Sequence, residues 1–256
     1  MKMLGMSVIL LFSLALLGSL GLLVAGCSLR RPAPQSEAFA SGTAAAEFDA
    51  SQPKTMRVGG DLHRTTEFVD GEYRSGVCRI TTPLPEGYPA PTPPDAIDIK
   101  RYPRVRRAEI GGTMPPDWGM NFAFFPLFNH IKRRQIAMTS PVEMNYDGLS
   151  AEGSRKPSSW TMSFVYRSPE LGPAGGDPRD DRILIEDIPP VTVAAIGMRG
   201  AYRMKLVNEG VSRLRDWLSQ QTEWEEAGQP RALFYNGPEA PARNKWAEIQ
   251  IPVRRR

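Results

Sequence analysis

The sequence contains few of the side chains that metal enzymes and nucleophilic enzymes need. Its 256 residues include two histidines, His63 and His130, and two cysteines, Cys27 and Cys78. It has no HExxH, CxxC or GxSxG pattern and no glycine-rich phosphate-binding loop. These absences disfavour hydrolytic metal chemistry. We predict that Cys78 is a small buried apolar residue rather than a nucleophile.

Charge is almost absent from the N-terminus, where Lys2 is the only charged residue before Arg30. An apolar run from Met6 to Ala25 leads into small residues and then Cys27. This pattern predicts a lipoprotein signal peptide over residues 1–26, with Cys27 as the lipid acceptor. A transmembrane anchor is the alternative, since about 20 apolar residues can cross a bilayer. The lipoprotein interpretation places the chain in a bacterial cell envelope, anchored to a membrane and facing the periplasm or the exterior.

Composition divides the rest of the chain into three parts. Residues 27–56 are rich in Ala, Ser and Pro without any period, which predicts a flexible tether. Residues 57–94 form an N-terminal extension with a possible edge hairpin around the turn dipeptide Asp70-Gly71. Residues 95–256 are long enough for one domain with its own core.

The chain is basic, with a formal net charge of +4 and a pI of about 9.2. Its cations cluster in residues 104–107, 132–134 and 254–256. Such patches suit anionic lipid surfaces or acidic ligands, although solvated basic faces are also common. We expect no nucleic-acid partner for an exported chain that is anchored by a lipid.

The hydrophobic pattern of residues 95–256 predicts an α+β fold. One helix is expected over Trp118 to Ile131 and a second over Tyr202 to Trp224. The first helix carries on one side Phe122, Phe125, Phe128 and Asn129. Alternating strands surround both helices, so each half reads strand, helix, strand, strand. We therefore predict two pseudo-equivalent β-α-β-β halves, each of which buries a helix on antiparallel sheet.

The segment Gln135 to Met144 carries the most specific signal. A strand is expected from Ile136 to Tyr146, and Pro141 should put it at a sheet edge or break it, because proline cannot donate to the ladder. The segment resembles the K-I-x-M-T-x-P-V signature of the SOUL haem-binding family, with Gln135 in place of Lys. The resemblance continues in order from Asp95 to Val253, through Leu127–Ile131, Asp177–Arg179, Phe234–Pro238 and Trp246–Val253. It implies a distorted antiparallel β-barrel-like sheet with two flanking helices.

The resemblance also implies that the chain binds haem, a related tetrapyrrole or another flat apolar ligand in a hydrophobic groove, without catalysis. His130 is the candidate iron ligand, because Arg101 occupies the position of a histidine proposed as ligand in some members. If the phenylalanines face inward, they are ordinary core residues instead. The candidate binding residues are Phe122, Phe125, Phe128 and Asn129 for the apolar side and Lys132 and Arg133 for the propionates.

Two other functions stay open at this point. A hydrolase acting on a small ester or lactone would use Glu143 or Glu248 as a base, assisted by Tyr235 or Tyr146. A structural envelope lipoprotein would instead bind a partner peptide or a lipid.

Overall fold

Two helices and fifteen strands make up the part of the chain that the computed structural model describes, residues 29–30, 54–149 and 155–256. The predicted signal peptide and Cys27 lie outside these residues. The helices are α1 (Pro116–Arg133) and α2 (Met204–Ser219), with a short 3-10 turn at Ala242–Asn244. The strands are β1 (Leu29–Arg30), β2 (Thr55–Gly60), β3 (Glu67–Val69), β4 (Glu72–Ser75), β5 (Cys78–Ile80), β6 (Ala96–Tyr102), β7 (Val105–Gly112), β8 (Val142–Asp147), β9 (Ser159–Val165), β10 (Gly175–Asp177), β11 (Asp180–Ile188), β12 (Val191–Arg199), β13 (Trp224–Glu226), β14 (Arg231–Phe234) and β15 (Trp246–Arg255).

Twelve of the strands form one curved antiparallel sheet. Its order is β10-β11-β7-β9-β8-β14-β15-β12-β6-β2, with β1 paired to β7 and β13 paired to β15. The sheet is open, with β10 at one end and β2 at the other, and does not close into a barrel. The predicted α+β class, with an antiparallel curved sheet and two helices, is confirmed.

The two halves of the domain exchange their first strands. The first half runs β6-β7-α1-β8-β9 and the second runs β11-β12-α2-β14-β15. In the sheet β6 pairs with β12 and β11 pairs with β7, so each half completes the sheet of the other. Each half has one more strand at its start than the predicted pattern. In the first half, residues 97–110 form two strands because Pro103 interrupts the ladder.

Both helices pack on one face of the large sheet. Alternate strand residues point toward them, among them Ile110, Met144, Met162 and Ile249. From the helices, Ala123 and Leu127 of α1 and Val207 and Leu214 of α2 are fully buried against these residues. The core therefore lies between the helices and this face.

The opposite face of the sheet is covered by residues 73–94. Here β3, β4 and β5 form a separate small sheet, with the β3–β4 turn at Asp70 and Gly71, both at positive φ. This hairpin therefore belongs to the small sheet, whereas the edge strands of the large sheet are β10 and β2. The predicted burial of Cys78 is confirmed: it is fully buried and packs near Leu233 and Trp246.

The signature segment differs from its prediction. Residues 136–141 are not in a strand; β8 begins only at Val142, directly after a cis Ser140–Pro141 bond. The strand is also not at an edge, since β9 and β14 pair on its two sides. Pro141 precedes the ladder, so the ladder needs no N–H from it.

Candidate functional site

The surface of α1 carries large aromatic rings. The exposed fractions are 71% for Trp118, 56% for Phe122, 66% for Phe125 and 38% for Phe128. Trp118, Phe122 and Phe125 follow one another at intervals of four and then three residues, which places them on one side of the helix. We call Trp118, Phe122, Phe125 and Phe128 the aromatic face. Its rings are surface residues and not core residues.

A half-buried ring connects the aromatic face to the core. Phe124 stacks on Phe128 with ring centroids 6.0 Å apart and meets Phe125 edge-on at 5.9 Å. On its other side Phe124 packs against Phe164 of β9 at 5.2 Å. The buried side of α1 consists of small and aliphatic residues together with His130. The sheet therefore fixes the orientation in which the aromatic face points outward.

Trp118 was missing from the predicted binding residues. It stands at positions i, i+4 and i+7 with Phe122 and Phe125, and this spacing in the sequence could have revealed it. The helix begins just before it, with Pro116 in the first turn, where the missing N–H costs no intrahelical bond. Asp117 beside it accepts a hydrogen bond from the Met204 N–H at 2.9 Å, so α1 caps the start of α2.

Polar and basic residues follow the aromatic face at the end of α1. Asn129 and Lys132 are exposed. The Arg133 side chain is 31% exposed and contacts Asp177 at 3.3 Å, so part of its charge is already paired. The helix ends in a left-handed turn at Gln135, where the Ile136 N–H donates to the Ile131 carbonyl at 2.9 Å. The predicted propionate cations thus lie about one turn from Phe128, about two from Phe125 and about three from Phe122.

His130 lies on the opposite side of α1 from these rings. It is fully buried, and both ring nitrogens have partners. Nδ1 bonds to Asp177, and Nε2 lies 2.6 Å from the Tyr166 hydroxyl. His130 is therefore not placed to ligate an iron held on the aromatic face, and iron ligation would require the loss of one of these bonds.

The surroundings of His130 keep it neutral and its partner ionised. Burial lowers the pKa of His130 in spite of the nearby carboxylate. Burial acts to raise the pKa of Asp177, but the Arg179 N–H and His130 outweigh it and the pKa is lowered. Asp177 also accepts the Asp180 N–H at 3.1 Å. This cluster ties the end of α1 to the loop before β11.

The carboxylates proposed for a hydrolase, Glu143 and Glu248, are buried beneath residues 83–94 of the N-terminal extension. Glu143 accepts a hydrogen bond from the Tyr88 hydroxyl at 2.7 Å and pairs with Arg107 at 3.2 Å. Tyr146 lies on the other face of β8 from Glu143, next to the helices. Glu143 and Tyr146 therefore cannot act on one substrate together.

Glu248 is similarly enclosed. It pairs with Lys100 at 2.7 Å and accepts hydrogen bonds from the Thr92 N–H at 2.8 Å and the Tyr235 hydroxyl at 2.6 Å. Burial, and after it the charge of Glu248, raises the pKa of Tyr235 well above its ordinary value. Neither carboxylate is open to a substrate in this arrangement, which gives no support to the hydrolase prediction.

A cavity of about 320 Å³ lies at the end of α2. Leu218, Trp224 and Arg256 are among the residues that line it, and none of the predicted site residues does. Within residues 54–149 and 155–256, no three His, Cys, Asp or Glu side chains are grouped as a metal site requires. Neither helix in this part of the chain combines the length and hydropathy needed to cross a membrane.

Solved structures share this fold at low sequence identity. EcmrR, in a structure described as the EcmrR–DNA complex in EcmrR-RPo, has a TM-score of 0.50 and 15% identity, and the match covers 61% of this chain. The chain spans only 56% of that EcmrR chain. The match to the isolated C-terminal domain of EcmrR covers 96% of that domain and 62% of this chain, with 15% identity and a TM-score of 0.47.

A protein from Listeria innocua described as a hydrolase gives a TM-score of 0.45 and 13% identity, covering 64% of this chain and 94% of its own. No match is found among the curated proteins. A match of a different kind comes from the profile of the SOUL heme-binding protein family. It fits residues 91–252, which include β6 to β14, most of β15, both helices and the signature segment. The chain belongs to the SOUL heme-binding protein family.

Proposed function

We propose that this protein binds haem or a related tetrapyrrole on the aromatic face of α1, without catalysis. The family membership supports the ligand class. The observation that carries the proposed location is the set of exposed rings of Trp118, Phe122 and Phe125, with Lys132 near the end of the same helix. Several exposed aromatic rings are uncommon on the solvent side of a helix, and such an apolar patch usually marks an interaction site.

The residues fit the macrocycle better than they fit its iron. A tetrapyrrole has two broad apolar faces, and removing them from water is favourable by about 25 cal/mol per Å². Ring contacts with Phe122 and Phe125 supply this term, and Lys132 and Arg133 supply cations for the propionates. When bound, the haem would supply a planar apolar surface and an iron centre. Because His130 has partners at both nitrogens, we propose that ring contacts hold the ligand without a bond from His130 to iron.

We further propose that a lipid on Cys27 holds the domain at the bacterial cell envelope, facing the periplasm or the exterior. The apolar run from Met6 to Ala25 and the small residue before Cys27 support this attachment. The intact mass of the chain purified from membranes tests it. An added diacylglyceryl mass that disappears in Cys27→Ser is the expected result, and an unmodified Cys27 contradicts it.

Haemin titration of the chain from Ser28 onward tests the proposed ligand and its place. We expect a saturable Soret change at about one equivalent. The double variant Phe122→Ser and Phe125→Ser should bind at least about tenfold more weakly, because each tenfold is about 1.4 kcal/mol and two ring contacts are lost.

The matched control is Phe68→Ser, which removes an equally exposed ring, 63% exposed, from β3 on the other side of the sheet. This variant should bind haemin like the native chain. Equal weakening by both changes would place the ligand elsewhere. The absence of any saturable change in the native chain at micromolar protein would refute haem binding itself.

A further inference from the structure

We infer that the aromatic face of α1 rests in the headgroup region of the bilayer to which the chain is attached. This inference rests on the membrane attachment proposed above and not on haem binding; because both would use the same rings, haem and the bilayer compete for this face. It assigns an orientation to the whole domain: the helix side of the large sheet faces the lipid, and the small sheet of β3, β4 and β5 faces away.

The composition of the exposed side of α1 suits a lipid interface. A helix that faces water is normally covered by charged residues, whereas here four aromatic rings occupy that side. Asn121 and Asn129 are the exposed uncharged polar residues between them. The acidic residue of the helix, Asp117, lies in the first turn and already accepts the Met204 N–H. Tryptophan and phenylalanine on such a face are characteristic of helices that lie in the plane of a membrane surface.

The chain enters the fold beside the first turn of α1. The backbone of β1 pairs with the end of β7, Leu29 opposite Gly112 and Arg30 opposite Gly111. Cys27 is two residues before Leu29 in the sequence, and two residues of chain span at most about 7 Å. A lipid on Cys27, or an apolar run ending just before it, would therefore meet the bilayer close to Gly112.

The end of β7 and the start of α1 pack on the same ring. A Cβ atom at Gly112 would overlap the Trp160 side chain, and so would a Cβ atom at Gly119 in the first turns of α1. The Trp160 Nε1–H also donates to the Met114 carbonyl, at 2.7 Å, between them. These close contacts place the attachment point and Trp118, the most exposed aromatic residue of α1, at the same end of the molecule.

Exposed cations lie around the aromatic face and favour an anionic bilayer as its occupant. Lys132 is exposed at one end of α1. At the other end Arg203 and Lys205 are exposed at the start of α2, which the hydrogen bond from Met204 to Asp117 brings next to α1. Lysine and arginine near a membrane surface are attracted to its anionic headgroups.

The fluorescence of Trp118 tests this orientation in the full chain. The chain is reconstituted into vesicles of phosphatidylcholine and phosphatidylglycerol, with bromine placed on the acyl chains either near the headgroups or near the bilayer centre. The Trp118 signal is the difference between the native chain and Trp118→Phe. We expect it to shift to shorter wavelength and to lose about half its intensity with shallow bromines, and less with deep ones, because an interfacial helix lies about 5–10 Å into the headgroup boundary.

The matched control is Phe68→Trp in the Trp118→Phe background, which puts an equally exposed indole on the small sheet. Bromolipids should leave that indole unquenched, and aqueous iodide should quench it. A Trp118 signal that bromolipids leave unchanged and iodide quenches as in solution would overturn the inference. A Trp118 signal protected from both quenchers would also overturn it, since a second copy or another protein would then cover the face. Haemin binding is measured without vesicles, so its failure and this one are separate results.

Discussion

The surroundings of His130 determine what this residue can do. Its position at the end of α1, next to Lys132 and Arg133, made it the candidate iron ligand in the sequence. The structure turns it inward, where Asp177 and Tyr166 occupy both of its ring nitrogens. These partners are 47 and 36 residues away along the chain, so no local pattern around His130 indicates them. The residue is therefore a buried hydrogen-bonded link between α1 and the sheet.

We predict that His130→Ala destabilises the fold and makes its stability less dependent on pH. The loss of buried hydrogen bonds should lower the free energy of unfolding at pH 7.5 by about 1–3 kcal/mol, since Asp177 and Tyr166 lose a partner. Burial lowers the pKa of His130 below its ordinary value of 6.5. The unfolded chain therefore takes up a proton below pH 6.5 that the folded chain does not, and the native protein loses stability as the pH falls.

Urea unfolding of the native chain and of His130→Ala between pH 7.5 and pH 5 measures both effects. Asp177, Tyr166, Arg133 and Arg134 face the ring, and the lowered pKa of Asp177 keeps that carboxylate ionised across this range. The difference in unfolding free energy between the native chain and His130→Ala should become smaller as the pH falls. A gap that widens toward pH 5 would mean that His130 is stabilised in its protonated form, which contradicts the prediction. The haemin Soret position should be the same in both.

At the scale of elements, the role of the proline-dense segment 83–94 could be predicted least from its sequence. Proline density predicted a loop, and the segment has no strand apart from an isolated bridge at Pro94. Nevertheless Pro91, Thr92 and Pro93 are buried, and Tyr88 and Thr92 bond to Glu143 and Glu248. This segment therefore acts as a cover over the charged face of the large sheet.

We predict that Tyr88→Phe weakens this cover. The change keeps the ring, which packs edge-on against Tyr102 at 4.8 Å, and removes only the hydroxyl that donates to Glu143. A buried carboxylate oxygen left without its donor costs about 1–3 kcal/mol of unfolding free energy. Hydrogen exchange should also increase at the Glu86 N–H, which bonds to the Arg167 carbonyl. Stability equal to the native chain would show that water replaces the hydroxyl without cost.

At the scale of the whole molecule, the fold needs more of the chain than the family match covers. The matched residues 91–252 include most of the large sheet, without β1 and β2, and both helices. Residues 73–90, which include most of the cover, lie before the matched region, yet they help to bury Leu233, Tyr235 and Trp246 on the sheet face opposite the helices. The boundary at residue 95 that the sequence favoured therefore cuts through one core.

We predict that a chain beginning at residue 95 does not fold cooperatively. It lacks β2, the small sheet and the cover, so apolar rings and the Lys100–Glu248 pair would face water. Its thermal unfolding should be broad and it should bind a hydrophobic dye, whereas a chain beginning at Lys54 should unfold in one sharp transition. Equal cooperativity in the two chains would show that residues 54–94 are dispensable.

The sequence by itself determined the class of fold, the two helices, the order of most strands and the family. These features follow from hydrophobic periodicity and from short ordered motifs, both of which are local. Only the tertiary structure decided that Pro141 precedes a central strand, that the halves exchange β6 and β11, and that residues 73–94 cover one sheet face. It also decided that the phenylalanines of α1 point outward while His130 points inward. The reason is that a helix with apolar residues on both sides has two faces that could be buried, and contacts from distant strands select one of them.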